Sequence, residues 1–371
     1  MNKGTSLGQL AWHKFKKDGA AIFGSVVILV AIALAVLGPV VTPDGTPNAN
    51  RQIIELAAKK PGSTFTFLKI PRSNGESTDG GSFLSGTPDQ FSWIPIYEHA
   101  ISADSLIIEK YTGDTPNEGE IVHYPLSRFR TEGSYNEGIE SQLIETKTFW
   151  LGTDRFGRDM LSRMILGTRI SLSIGFVAVG ISLLIGILMG SLAGFFRGWI
   201  DNVVMWFVTV VWSIPLLLLV IAITLAMGKG FWQVFIAVGL AMWVEVARIV
   251  RGQILSIREK EFVEACRALG YNGYRTIVKH ILPNILGPVI VISAANFAAA
   301  ILIEAGLSFL GIGAQPPIPS WGAMIKDHYG YIIMDKAYLA LIPGAAILLM
   351  VLAFTLVGNG IRDSIDVKGV N

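Results

Sequence analysis

The sequence predicts an all-α polytopic membrane protein with six transmembrane helices and a β-rich insert between the first span and the second. Three observations predict it. Of the 371 residues, 51% are hydrophobic and 16% charged, with a mean hydropathy of +0.52, whereas soluble domains carry about a quarter charged residues. Six apolar runs reach or approach the roughly 20 residues that cross a bilayer: 20–41, 170–196, 203–227, 230–247, 285–313 and 337–357. One polar stretch of different character, 42–150, separates the first two runs. The net charge of +2 gives no reason to expect nucleic acid as a partner. The single Cys266 excludes an intrachain disulfide and reads as a small apolar helix residue.

Lys14, Lys16 and Lys17 precede the first run and place the N-terminus in the cytoplasm. That run is too long for a signal-peptide core and lacks a small-residue cleavage site, so it is expected to stay as an anchor. The chain then divides into 1–41 (cytoplasmic N-terminus and first span), an external insert at 42–150, and a core of five spans at 151–371. Alternation puts the loop at 248–283 and the C-terminus in the cytoplasm. The loop's basic residues, Arg248, Arg251, Arg258, Lys260, Arg267, Arg275 and Lys279, outnumber Glu259, Glu261 and Glu264, as that side requires.

The insert is rich in Gly, Ser, Thr, Asn and Pro, and its acidic residues outnumber its basic ones. Alternating or β-branched runs at 64–68, 105–108 and 120–124 read as strands, and 73–86 reads as disordered. His99 and His123 are its only histidines, too few ligands for a metal site.

Ahead of the second span, Arg155, Arg158, Arg163 and Arg169 carry positive charge on the external side, but Asp154 and Asp159 are interleaved and long translocated loops obey the charge rule poorly. Met160, Leu161, Met164 and Ile165 suggest a short amphipathic helix at the interface. Gly186, Gly190 and Gly194 lie on one face of the second span, where small residues let backbones approach; packing within the subunit is preferred to a dimer contact. The third span holds Trp212, Ser213, Ile214 and Pro215. The proline there kinks the helix, either structurally or to line a translocation path.

The fifth span carries Asn296 and Glu304. Burying an ionisable group at mid-membrane costs at least roughly 2.5 kcal/mol, so Glu304 either faces a path or lies near the external interface. After it, 314–322 is a proline-rich external turn, and 323–331 reads as a short re-entrant or surface helix with Trp321, Tyr329 and Tyr331 at headgroup level.

The segment 258–283 is amphipathic. Phe262, Val263, Cys266 and Leu269 form one helix face, with Lys260, Glu261, Glu264 and Arg267 on the others. Gly270 can close that helix in the left-handed conformation, Asn272 and Gly273 make a turn, and Ile277, Val278 and Ile281 begin a second amphipathic piece before Pro283. Two short helices with a bend, set between spans, suit a grip by something outside the membrane. The chain has no phosphate-binding glycine loop, no H-E-x-x-H and no G-x-S-x-G. Its five histidines are scattered over different compartments. No catalytic, metal or nucleotide site is expected, so any work must draw on a partner or an ion gradient.

This segment resembles the cytoplasmic EAA loop of permease subunits of binding-protein-dependent ABC importers: Glu264, Ala265 and Cys266, then Gly270, then Leu282 and Pro283, at the family's spacing. Cys266 replaces the second Ala, and His280 stands at an aliphatic position. Residues 151–163 (LGTDRFGRDMLSR), 243–252, 307–313 with 316–322, and 359–366 are similar to the second, C-type, permease of dipeptide, oligopeptide and nickel importers. The resemblance covers 10–41 and 150–368 and leaves out 42–150. It implies the type I importer permease fold in the bacterial inner membrane. It also implies a second permease, two cytoplasmic ATPases that hold ATP and magnesium, and an external solute-binding protein. Glu261, Phe262, Val263, Glu264, Ala265, Cys266, Arg267, Leu269 and Gly270 would form the ATPase-coupling site, and Trp212, Ser213, Pro215, Asn296 and Glu304 the candidate path. Peptides are the leading cargo, and nickel or another small solute is the alternative. A secondary carrier would normally show an internal repeat, and a membrane-anchored structural protein would leave the EAA loop unexplained.

Overall fold

The computed structural model describes residues 7–72, 86–102, 105–113, 115–116, 118–129, 143–228 and 230–365. The stretch 73–86, expected to be disordered, lies outside the described residues apart from Gly86. A short helix α1 (Leu7–Phe15) precedes the first long apolar helix, α2 (Gly19–Val41). Asp18 caps α2 by accepting from the N–H groups of Ala20 at 2.9 Å and Ala21 at 3.2 Å, which satisfies donors that have no partner within the helix.

The insert is built on one antiparallel sheet of β1 (Ser63–Pro71), β2 (Phe91–Ser102), β3 (Ser105–Lys110), β4 (Ile121–Pro125) and β5 (Ile144–Phe149), in the order β4-β3-β2-β1-β5. Side chains alternate across it. Leu68, Ile70, Ile96, Leu106 and Ile108 pack on one face. On the other, Phe65, Phe67, Trp93, Tyr111 and Phe149 pack with Ile53 and Leu56 from the chain leaving α2. The expected strands at 64–68, 105–108 and 120–124 fall in β1, β3 and β4. β2 and β5 were not foreseen, because Pro95 interrupts one and Glu145 and Lys147 give the other a charged face.

After the insert come α3 (Met160–Phe196), α4 (Gly198–Trp212), α5 (Leu216–Met227), α6 (Phe231–Ile257), α7 (Glu261–Ala268) and α8 (Gly273–Thr276). A π-helical turn (Ile277–Ile281) runs into α9 (Leu282–Phe309), followed by α10 (Trp321–His328) and α11 (Tyr338–Ile365). Five helices among the described residues are long and apolar enough to cross a membrane, and α4 with α5 makes a sixth if that bent pair is one span. The expected kink is therefore a break: α4 and α5 meet at 92°. Pro215 supplies no N–H to bridge the turn.

The expected interfacial helix around Met160 to Ile165 is instead the first turns of α3. Asp159 caps it by accepting from the Ser162 N–H at 2.8 Å, and nothing between there and the second apolar run breaks the helix. Gly186, Gly190 and Gly194 set α3 against α6. A Cβ at Gly186 would lie 2.5 Å from Val246 Cβ, at Gly190 2.5 Å from the Ala247 carbonyl oxygen, and at Gly194 3.0 Å from that of Arg251. The glycines thus pack helices within one chain.

Candidate functional site

The helix α7 is held by its own subunit before any partner is considered. Arg251, near the end of α6, donates to both carboxylate oxygens of Asp201 in α4 at 2.6 and 2.7 Å. The Arg258 guanidinium donates to the Phe195 carbonyl, and Arg197 donates to Glu259 at 2.7 Å. These contacts tie the end of α3, the start of α4 and the end of α6 together, just ahead of α7 in the chain.

The apolar face of α7, expected as a single stripe, divides between a buried and an exposed edge. Val263 and Cys266 are buried at 0% and 5% exposure, and Val263 packs with Val246, Val250, Ile254, Ile281 and Ile285. Phe262 and Leu269 are 40% and 70% exposed. At 3.6 residues per turn, Val263 and Cys266 occupy one edge of the stripe and Phe262 and Leu269 the other. The first edge docks inward and the second is left outside. Glu261, Glu264, Ala265, Arg267 and Gly270 are also exposed.

Gly270 closes α7 as expected, with φ +74°. The N–H of Tyr271 bonds the Cys266 carbonyl at 3.0 Å and that of Gly270 bonds Arg267 at 3.0 Å, the pairing that ends many helices on a left-handed glycine. Asn272 caps α8 by accepting from the Arg275 N–H at 2.8 Å. The second amphipathic piece is continuous with α9 through the π turn, so a displacement of the loop acts directly on a spanning helix. His280, one departure from the motif, stacks on Tyr271 with ring centroids 5.6 Å apart, and the Arg275 guanidinium lies 4.2 Å from the same Tyr271 ring.

The candidate path residues separate into two groups. Trp212, Ser213 and Pro215 are exposed at the break between α4 and α5, and the Arg248 guanidinium stacks 3.4 Å from the Trp212 ring. Asn296 and Glu304 are each only 2% exposed. Glu304 accepts from the Ser308 hydroxyl at 2.6 Å. Within this chain α9 turns both into its own packing, where neighbouring helices cover them.

The LGTDRFGRD segment, noted only as a motif, forms a buried polar knot. The Asp154 carboxylate, fully buried, accepts from Arg158 Nε at 2.6 Å and from the N–H groups of Phe156 and Arg158. Gly157 has φ +72°, and a Cβ there would meet the Ile53 carbonyl oxygen at 1.6 Å. His328 in α10 accepts the Arg155 N–H on Nε2 at 3.3 Å, and its Nδ1 lies 2.7 Å from the Met324 carbonyl oxygen. Those partners require a neutral ring with the proton on Nδ1, and burial lowers the pKa of His328 accordingly. Trp321, expected at headgroup level, is buried instead: it lies against Gly167, and its indole N–H donates to the Met164 carbonyl at 3.1 Å.

Residues 186–368 match the sequence profile described as the binding-protein-dependent transport system inner membrane component. Residues 6–58 match that of the N-terminal TM domain of oligopeptide transport permease C. The glutathione transport system permease protein GsiD of Pectobacterium atrosepticum is 40% identical over 248 residues, covering 67% of this chain and 80% of that protein. The dipeptide transport system permease protein DppC of Alkalihalophilus pseudofirmus is 39% identical over 240 residues, covering 64% and 79%. Among solved structures, an inward-facing MetNI methionine ABC transporter chain is 19% identical with a TM-score of 0.47, covering 56% of this chain and 97% of that one.

Proposed function

The chain belongs to the inner membrane components of binding-protein-dependent transport systems, and from that premise we propose that it carries short peptides inward, driven by ATPases that grip α7. It is a permease subunit of an ABC importer. In this reading the five long helices and the α4–α5 pair are the six spans of a type I permease. A second permease completes the path, two cytoplasmic ATPases hold the ATP and magnesium, and an external binding protein delivers the cargo. Peptides are favoured because the relatives are named for dipeptides and glutathione. Lys14, Lys16 and Lys17 ahead of α2 support a cytoplasmic N-terminus.

The observation that carries the reading is the division of α7. Phe262 and Leu269 offer an apolar edge with Glu261, Glu264, Ala265 and Arg267 exposed on the helix, while Val263 packs it on α6 and α9. ATP binding would close the ATPase pair, carry α7 with it and tilt α6 and α9 toward an outward-facing state. Hydrolysis would reset them. The path is assigned to the exposed break at Trp212, Ser213 and Pro215.

The test is Glu264→Lys. The side chain is exposed, so the variant should insert and fold as the parent does. ATP-dependent peptide uptake in reconstituted liposomes should fall at least tenfold, and the ATPases should co-purify poorly. Undiminished uptake with full ATPase assembly would refute the coupling assignment.

A further inference from the structure

A cleft of about 410 Å³ lies where the aromatic face of the insert sheet meets the chain on either side of it. Its size falls within the roughly 300–1,000 Å³ of small-molecule sites. Phe67 and Phe149 form its apolar floor, Trp93 a wall, and Trp150, 67% exposed, its rim.

The polar groups of the cleft are unevenly used. Its acids are engaged. Asp44 accepts from the N–H groups of Thr46 and Arg51, and Asp159 accepts from the N–H and hydroxyl of Ser162. Burial alone would raise the pKa of Glu145, but Lys69 at 2.9 Å and Lys147 at 3.4 Å hold it below the ordinary carboxylate range.

The donors are not used up. Arg51 bonds Asp89 through Nε at 2.5 Å, and its other carboxylate contact among the described residues is Asp44 at 3.8 Å. The Arg51 guanidinium lies 4.3 Å, and the Lys147 ammonium 4.1 Å, from the centroid of the same Trp93 ring. Both cations lie against the Trp93 ring, and burial followed by the Arg51 charge lowers the pKa of Lys147. The Trp93 indole N–H is buried with no acceptor among the described residues. Unspent donors and paired like charges beside an aromatic floor are what a carboxylate on an apolar body would satisfy.

We propose that this cleft binds a small organic carboxylate carrying an apolar or aromatic body, with Arg51 and Lys147 taking the carboxylate and Phe67, Trp93, Phe149 and Trp150 the body. Such a group is offered by a free apolar acid or by the C-terminal residue of a short peptide. The site does not depend on which cargo the chain transports.

The experiment titrates the full chain in lipid nanodiscs by calorimetry with N-acetylphenylalanine, its amide and the tetrapeptide Ala-Ala-Ala-Phe. The free acid should bind saturably, and at least tenfold more tightly than the amide. Lys147→Gln should weaken the acid at least fivefold. Arg51→Gln should do the same, and because Arg51 also ties Asp89, the lysine variant is the decisive one. Lys110→Gln, a strand lysine paired with Glu120 outside the cleft, should leave binding unchanged. A tetrapeptide as tight as the acid identifies the peptide end as the source, and a weaker one identifies the free acid. Absence of saturable binding, equal affinity for acid and amide, or an unaffected Lys147→Gln variant overturns the proposal. Because none of these readouts involves transport, their failure leaves the coupling assignment standing, and the reverse also holds.

Discussion

Two glycines of α3 separate close packing from mere helix composition. At Gly180 an added Cβ meets nothing within 4 Å, whereas at Gly190 it would lie 2.5 Å from the Ala247 carbonyl oxygen and 2.9 Å from Val250 Cβ. Replacing glycine by alanine inside a helix gains about 0.5–1 kcal/mol of backbone entropy wherever the new methyl has room. Overpacking a close contact costs about 1–3 kcal/mol, and α6 can relieve this one only by moving away as a body. Gly180→Ala should therefore stabilise by about 0.5–1 kcal/mol. Gly190→Ala should destabilise by up to about 2 kcal/mol, which leaves the pair about 1–3 kcal/mol apart. At about 2.1 cal/mol/K of unfolding entropy per residue, one kcal/mol moves the midpoint of a chain of 371 residues by about 1.3 °C, so the variants should differ by about 1–4 °C. The measurement is the midpoint of heat-induced loss of the monodisperse peak in detergent. A Gly190→Ala midpoint equal to or above that of Gly180→Ala would refute the claim that these glycines hold α3 on α6.

Three further outcomes are expected. Gly157→Ala combines a left-handed backbone, costing about 1–2 kcal/mol, with a Cβ driven into the Ile53 carbonyl; folded chain recovered by size exclusion should fall severalfold, and normal recovery would contradict the geometry. Phe262→Asp should leave the midpoint unchanged but abolish ATPase co-purification, whereas Val263→Asp places a charge in the core beneath α7 and should lower the midpoint; the same behaviour from both would show that the helix face is not divided. His328 is held neutral, so the unfolded chain binds its proton more readily than the folded one and stability rises with pH. Stability contributed by the neutral ring should be lost as pH falls from the ordinary histidine value, about 6.5, toward the depressed folded one, and His328→Gln should flatten the midpoint between pH 7.5 and 5. An unchanged slope would show that another group governs the acid limit.

The apolar helices were legible because bilayer crossing demands runs that composition cannot disguise. The ends of those helices were not. α3 begins well before its apolar run, because the Asp159 cap sets its start, and α6 continues past its own because Arg251 can pair with Asp201. The sheet was half legible. β1, β3 and β4 show β-branched or alternating residues, but β2 contains Pro95 and β5 alternates threonine with charge, which suits a face covering a cleft rather than a core. In the coupling segment, spacing revealed the helix, its glycine stop and its turn. It could not show which edge of the apolar stripe would stay outside, because that depends on Val246, Ile254 and Ile285, distant residues that converge only in space. The cleft in the insert was invisible for the same reason: Arg51, Trp93 and Lys147 lie on three separate segments.

The division of α7 bears on how such a loop could transmit force. A helix that bound a partner with its whole apolar stripe would be joined to its own subunit only by the chain at either end, and the partner's movement could be taken up by bending there. Here Val263 lies in one close-packed core with Val246, Val250 and Ile254 of α6, with Ile281 of the π turn and with Ile285 and Val289 of α9. Such cores do not deform continuously. Movement imposed at Phe262 and Leu269 must therefore move the adjoining ends of α6 and α9 together or break that core. The glycine seam extends the constraint to α3, since Gly190 and Gly194 leave α6 no slack against it. By contrast α4 and α5 are broken at Ser213 to Pro215 and exposed there, while Asp201 and Val208 hold α4 on α6. On the coupling reading, α3, α6 and α9 move as one body, and the stretch assigned to the path is the break beside them.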